Sequence, residues 1–458
     1  MDAATLTHSI LRIGGRARRD DDELAFGPGG DPVYPTPFRI ALAASAALGA
    51  VGLALADVWR LRTGRGQIVS VSPRAAAASL KSSAYATLNG KIAKIWDPLT
   101  GHYRTRDGRH IFLHTNHAHH RAAALRIAAA RGDARADLEA AVANLDALAF
   151  ETALAAEDGI GAMVRTRDEW AGLPHARALA ALPLFEIERI GDAPPQPFPA
   201  GERPLSGLRV LDLTRVLAGP TAGRSLAEHG AEVLHLTAPH IPYQTELLYD
   251  TGPGKRCAWL DLDTPEGPGA LRELAARADV FLQSYRPEAL AKRGFGADAL
   301  AKLRPGIVVT TLSAYGHSGP WALRRGFDSV VQNAMGLAAL NSPLDGPKNM
   351  PVQALDYIGG YLAALGTILA LARRAREGGS WRVRVSLAQV AHWLAHLGTI
   401  DARDGAEPPA AEIASLLTET DSPFGRVAHF KPVLSLSETP GFYASPPEPF
   451  GTSKAAWL

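Results

Sequence analysis

The C-terminal half of the chain alternates short apolar runs with longer segments in which apolar residues recur every three or four positions. Leu208 to Leu213, Glu232 to Leu236, Val280 to Leu282 and Ile307 to Leu312 have the length and composition of buried strands. Between them, segments near 221–229, 265–277 and 287–303 have a helical period. Alternating strands and helices imply right-handed crossovers, and hence an α/β fold with a doubly wound parallel sheet. Such sheets bind their ligands at the carboxyl ends of the strands.

The N-terminal half is less regular. Helix-rich segments 123–131, 134–156 and 167–181 surround an alternating stretch from His102 to Leu113, with Asp107-Gly108 at its middle. Asp-Gly between alternating strands predicts a tight hairpin, so a smaller α+β domain is expected here. The run Ala193-Pro194-Pro195-Gln196-Pro197-Phe198-Pro199 predicts an extended, semi-rigid connector. The expected units are 1–95 with an apolar helix and a strand, 96–191 as the small domain and 192–203 as the connector. The sheet domain with a second apolar helix follows over 204–400, and a tail over 401–458.

Residues 47–72 (ALGAVGLALADVWRLRTGRGQIVSVS) resemble 361–386 (YLAALGTILALARRAREGGSWRVRVS) at an offset of 314 that holds throughout. Leu48 falls on Leu362, Gly52 on Gly366, Gly64 on Gly378, Val69 on Val383 and Ser72 on Ser386. Each copy reads as an apolar helix, a glycine turn and an alternating strand. A gap-free register through all three favours duplication over two unrelated alanine-rich helices. Extended backward, the register sets Asp356 opposite Leu42, so one copy has a carboxylate at the head of its helix and the other lacks it.

Composition narrows the functions open to the chain. It has 458 residues, 47% of them apolar, and a net charge of only +2. No basic field exists for nucleic acid or an anionic membrane, so an anionic ligand would need a local site. A single cysteine, Cys257, excludes an internal disulfide and fits a reducing, cytoplasmic setting. It lies in a strand-like run after Lys255 and Arg256 and reads as packing. The N-terminus lacks a basic-then-apolar leader pattern. Ile40 to Ala56 is uncharged but rich in alanine and glycine, and at about 17 residues it is at the short limit for a bilayer span. It reads as a buried helix.

Several groups could carry chemistry. Asp356 precedes an apolar helix, where it either caps the helix N-terminus or serves as a carboxylate nucleophile. Gly359 and Gly360, one turn later, would let a bulky thioester approach the backbone. Asp212-Leu213-Thr214-Arg215-Val216-Leu217-Ala218-Gly219-Pro220 occupies the strand-to-helix turn where a nucleotide would sit, but it is not G-x-G-x-x-G. A nicotinamide enzyme loses its main support, and Asp212 reads as structural. Lys255, Arg256 and Arg286 are cations near expected strand ends, either solvated or suited to phosphates. The run His114-Thr115-Asn116-His117-Ala118-His119-His120 fits no common zinc spacing, so no metal is expected and the run reads as a polar strand-to-helix junction. Gly316-His317-Ser318-Gly319 lacks the spacing of a nucleophile elbow.

Taken in order, Pro204-Leu205-Ser206-Gly207 through Leu211-Asp212-Leu213-Thr214, Ala218-Gly219-Pro220, Gly230-Ala231-Glu232-Val233 and Gly254-Lys255-Arg256 resemble family III CoA-transferases (the carnitine CoA-transferase-like and formyl-CoA transferase-like group). Thr264-Pro265-Glu266-Gly267, Tyr285-Arg286-Pro287, Gly316-His317-Ser318-Gly319-Pro320 and Gly326-Phe327-Asp328 extend the resemblance over about 204–390. It implies a Rossmann-like CoA-binding domain and an acyl-CoA and a carboxylic acid as partners, with no permanently bound cofactor. Asp356 takes the position of the family's catalytic aspartate, which passes through an aspartyl anhydride and an aspartyl-CoA thioester. Gly359 and Gly360 would supply oxyanion N–H groups, and Ala218, Gly219, Lys255, Arg256 and Arg286 would hold CoA. The order departs from the family pattern, because residues 1–95 resemble its later part as a degenerate repeat with linker helix and strand. The chain is then a homodimer subunit or a pseudo-dimeric monomer supplying both sides of one site. Leu217 and Thr237-Ala238-Pro239-His240 replace polar and basic residues frequent in the family. A non-catalytic CoA-binding protein therefore stays open. So does an acyl-CoA racemase, although Phe327 stands where that group carries its histidine.

Overall fold

β-Branched and leucine-rich runs place seven strands in one sheet, in which most positions are buried. In this computed structural model, which describes residues 1–157, 159–342, 346–402 and 404–458, the strands are β1 (Phe185–Gly191), β2 (Arg209–Leu213), β3 (Glu232–Thr237), β4 (Lys255–Trp259), β5 (Val280–Gln283), β6 (Val308–Ser313) and β7 (Ser380–Ser386). Their order is β4-β3-β2-β5-β6-β7-β1. All pairs are parallel except β7 with β1. The chain winds outward from β2 in one direction and then from β5 in the other, which opens a crevice between their carboxyl ends.

The expected strands appear within a residue or two of their predicted bounds. The helical segment over 287–303 does not form whole: a short 3₁₀ turn and Ala297–Leu303 occupy it. The helix expected over 134–156 is split into Arg135–Val142 and Ala147–Ala156. The predicted hairpin forms from Gly101–Arg104 and His110–Leu113, with Gly161–Met163 as a third strand. Phe185–Gly191, the end of the expected small domain, instead closes the edge of the large sheet as β1. The proline-rich run is also tied down, with Gln196 bonding to the Arg374 and Pro305 carbonyls.

Two apolar helices stand at the centre: α1 (Ile40–Thr63) and, in the sheet domain, α3 (Ala354–Glu377). Both are long and apolar enough to cross a membrane, and both are largely buried within the protein. They pack on each other, and α2 (Ala218–Glu228) packs on α3. The 314-residue register holds in space. The N–H groups of Ala41 and Leu42 donate to the Asp31 carboxylate, and those of Leu355 and Asp356 donate to Asp328. A Cβ on Gly52 would meet Val69 at 2.3 Å, and one on Gly366 would meet Val383 at 2.5 Å. The strand Val69–Val71 has a parallel neighbour, Leu24–Phe26, and an antiparallel one, Leu434–Leu436, as β7 has β6 and β1.

Candidate active site

A cavity of 440 Å³ opens at the carboxyl ends of β2, β5 and β6, at the switch point of the sheet. The turn into α2 forms one wall, and the small domain with the loop after β6 forms another. Val216 in that turn has a φ of 69°, a left-handed backbone that a β-branched residue adopts only under constraint, at a cost of roughly 1–3 kcal/mol. The strain turns the chain abruptly from β2 into α2, so that Leu217, Ala218 and Gly219 line the cavity. The N–H groups of a helix's first turn have no intrahelical acceptor, and these point the positive end of the α2 dipole into the crevice.

Asp356 lies in the first turn of α3 and lines the same cavity. It does not cap its helix. That task falls to Asp328, whose Oδ2 accepts from Leu355 N at 2.7 Å and Asp356 N at 3.0 Å, while Oδ1 accepts from Gln332 Nε2. The Asp356 side chain is 7% exposed and makes no hydrogen bond among the described residues. Burial, and then the nearby charge of Asp328, hold its pKa well above the usual carboxylate range. It is the one acidic residue among the described residues lining the cavity.

The remaining predicted site residues divide. Ala218, Gly219 and Arg286 line the cavity with Asp356. Gly359 and Gly360 do not, which corrects the expected oxyanion role. They occupy the second turn of α3, where backbone N–H groups bond within the helix. A Cβ on Gly360 would lie 2.6 Å from the Ala218 carbonyl, so this glycine admits α2 rather than a ligand. Lys255 is also corrected: it is fully buried and donates to Asp212 at 2.8 Å and to the Pro220 carbonyl at 2.7 Å. Arg256, near the amino end of β4, donates to the Ala456 carbonyl in the C-terminal tail. Cys257 is buried, and burial raises its thiol pKa, in keeping with a packing role.

Sequence reasoning missed the second wall. His117, His120 and Arg324 reach the cavity from the small domain and from the loop after β6. The His114–His120 run was the available signal, but nothing local showed that it faced Asp356. His114 stacks on Phe327 with ring centres 4.0 Å apart. Burial lowers the pKa of His117 to about 4 and of His120 to about 2, so both are neutral. At the rim, His240, Asp261 and Asp263 bring potential ligand atoms within 4.8 Å of one another. Arg293 already pairs with Asp263 there.

The profile described as CoA-transferase family III matches residues 24–196 and 205–422. An acetyl-coenzyme A transferase, nodX, of Hypoxylon pulicicidum is 34% identical over 258 residues, covering 53% of this chain and 44% of the relative. Succinyl-CoA:glutarate CoA-transferase of Mus musculus is 35% identical over 189 residues, covering 38% and 43%. The match to each thus spans less than half of the relative's length. The solved structure of hypothetical protein Rv3272 from Mycobacterium tuberculosis is 34% identical with a TM-score of 0.41, over 44% of this chain and 57% of that one.

Proposed function

This chain belongs to CoA-transferase family III, and we propose that it moves CoA from an acyl-CoA thioester to a carboxylic acid with Asp356 as nucleophile. One observation carries the reading. A carboxylate freed from capping, and without a hydrogen bond among the described residues, faces a ligand-sized cavity at the carboxyl ends of a parallel sheet. A purely structural aspartate in a first helical turn would spend its oxygens on backbone N–H groups, and Asp328 has taken that role.

In the proposed reaction, an Asp356 oxygen attacks the thioester carbonyl and CoA thiolate leaves, giving an aspartyl–acyl anhydride. The thiolate then attacks the aspartyl carbonyl, releasing the donor acid and forming an aspartyl-CoA thioester. The acceptor carboxylate attacks that thioester, expelling thiolate and forming a second anhydride. The thiolate attacks the acceptor carbonyl of this anhydride and regenerates Asp356. The raised pKa makes the ionised carboxylate more basic and hence more nucleophilic. Oxyanion stabilisation falls to the N–H groups of Ala218 and Gly219, whose helix end lines the cavity. Arg215 and Arg286, in the turns after β2 and β5, suit the CoA phosphates. We read α1 as a duplicated copy of α3 that kept its cap, Asp31, and holds Leu42 where α3 holds the nucleophile.

The test is covalent trapping. Turnover of acyl-CoA with hydroxylamine or borohydride, followed by peptide mass spectrometry, should modify Asp356. Labelling elsewhere, or none while CoA transfer proceeds, would defeat the assignment.

A further inference from the structure

The proposed reaction builds tetrahedral centres on two different carbons, and the negative oxygen of each needs a donor. When CoA thiolate or the acceptor attacks the acylated Asp356, the centre forms on the carboxyl carbon of Asp356. Helix α2 packs on α3 where the Ala218 carbonyl meets Gly360, so the N–H groups of Ala218 and Gly219 keep a fixed relation to that carbon. When Asp356 itself attacks, the centre forms instead on the substrate's carbonyl carbon, beyond the attacking oxygen and toward the opposite wall.

That wall carries a second helix N-terminus. The helix Ala118–Ala128 begins at His117, which gives it no side-chain cap, and His117, His119 and His120 all line the cavity. His120 is only 5% exposed. Its ring centre lies 3.9 Å from that of His119 and 5.3 Å from that of His117, and it stands edge-on to Phe327 at 6.0 Å. Phe327 directly precedes Asp328, whose carboxylate accepts from the backbone N–H of Asp356 at 3.0 Å. A single aromatic ring thus links His120 to the backbone that positions Asp356. Nδ1 of His120 is fully buried and has no hydrogen-bond partner among the described residues. A neutral imidazole carries one N–H and one lone pair, and folded proteins avoid walling off an N–H without an acceptor. The proton is accordingly assigned to Nε2, the nitrogen left to meet a ligand. Burial, followed by His119, His117, Arg325 and His114, keeps the ring uncharged. A neutral imidazole at a helix N-terminus can polarise a carbonyl without gaining or losing a proton.

We propose that His120 is a catalytic residue whose Nε2–H receives the oxyanion of the substrate's own carbonyl when Asp356 attacks it. This role rests on the transferase reading. As the Asp356 oxygen bonds to the carbonyl carbon, the C=O pair moves onto oxygen and meets the N–H. Collapse returns that pair, breaks the C–S bond and expels CoA thiolate, and the proton stays on His120 throughout. The same donor serves the last step, in which thiolate attacks the acceptor carbonyl of the second anhydride.

The experiment uses the full chain with acetyl-CoA and separates chemistry from binding. Rapid-quench mass spectrometry gives the rate at which Asp356 is acylated, and calorimetry gives the affinity for CoA. His120→Ala should slow acylation about 10²–10³-fold, the usual loss for one oxyanion donor, with CoA affinity unchanged. His120→Gln, which keeps a neutral N–H, should recover part of the rate. A second readout needs no turnover. In Asp356→Asn, the infrared carbonyl band of bound, carbon-13-labelled acetyl-CoA should lie at lower frequency than in the double variant that also carries His120→Ala. Acylation of His120→Ala at the wild-type rate, or a carbonyl band indifferent to His120, would overturn the proposal. So would equal losses in the alanine and glutamine variants together with weaker CoA binding, since the ring would then serve packing. If Asp356 is never acylated in the wild type, yet the carbonyl band depends on His120, the donor stands and only the transferase reading falls.

Discussion

Gly359 and Gly360 adjoin in α3, and the structure predicts opposite outcomes for the same substitution at each. An alanine Cβ at Gly360 would lie 2.6 Å from the Ala218 carbonyl oxygen and 2.7 Å from Thr221 Cβ, about 0.8 Å inside an ordinary 3.4 Å contact. Backbone cannot rotate away as a side chain can, so α2 and α3 must part. A Cβ at Gly359 would meet Leu387 Cδ2 at 3.4 Å, which needs no movement. Both variants gain about 1 kcal/mol from the better helix former, and only Gly360→Ala incurs an overpacking cost of about 1–3 kcal/mol. The two should therefore differ in stability by about 1–3 kcal/mol. At about 2.1 cal/mol/K per residue over 458 residues, that gap is about 1–3 °C in Tm. The kinetic effect is larger, because parting the helices moves the N-terminus of α2 away from Asp356. A displacement of this size costs about 10–100-fold in turnover. Calorimetry gives the first quantity, and CoA transfer from acetyl-CoA gives the second. If Gly360→Ala turned over at the wild-type rate and melted no lower than Gly359→Ala, the role assigned to the α2–α3 contact would be wrong.

Asp356→Asn should abolish CoA transfer and raise Tm. Its folded pKa is raised by burial and by Asp328, so the wild-type carboxyl destabilises the fold as pH climbs from the unfolded value near 3.8 through the folded one. The gain in the variant should accordingly be small near pH 4 and reach its full size above the raised pKa, as thermal scans across pH would reveal. Asp328→Asn keeps an acceptor for the α3 cap but removes the charge beside Asp356, which lowers the nucleophile's pKa. The acid limb of kcat/KM should move to lower pH, and an unmoved or raised limb would contradict the coupling. Lys255→Met leaves Asp212 buried and unpaired, with an expected loss of about 3–5 kcal/mol in denaturant unfolding. KM for acyl-CoA in the folded variant should be unchanged, whereas a selective rise in KM would return Lys255 to the CoA site.

Local pattern determined much of this protein before any coordinate was known. Strands β2, β3, β5 and β6 announce themselves because parallel strands buried on both faces need continuous apolar runs. The 314-residue register was legible because helix, turn and strand all obey it, whereas the caps were not, because Asp31 and Asp328 fall outside that register. Asp356 could be singled out as a carboxylate heading an apolar helix. Its state could not, since whether it caps α3 depends on Asp328, 28 positions away. Only the tertiary structure decided which cations meet. Lys255 looked available from its motif, yet it is consumed by Asp212, while Arg324, unremarkable in sequence, has no carboxylate hydrogen-bonded to it among the described residues because Glu151 gives both oxygens to Arg165. Secondary structure follows from residues a few positions apart, which composition and period encode. The availability of a charge depends on partners brought together from all along the chain, and no local pattern records them.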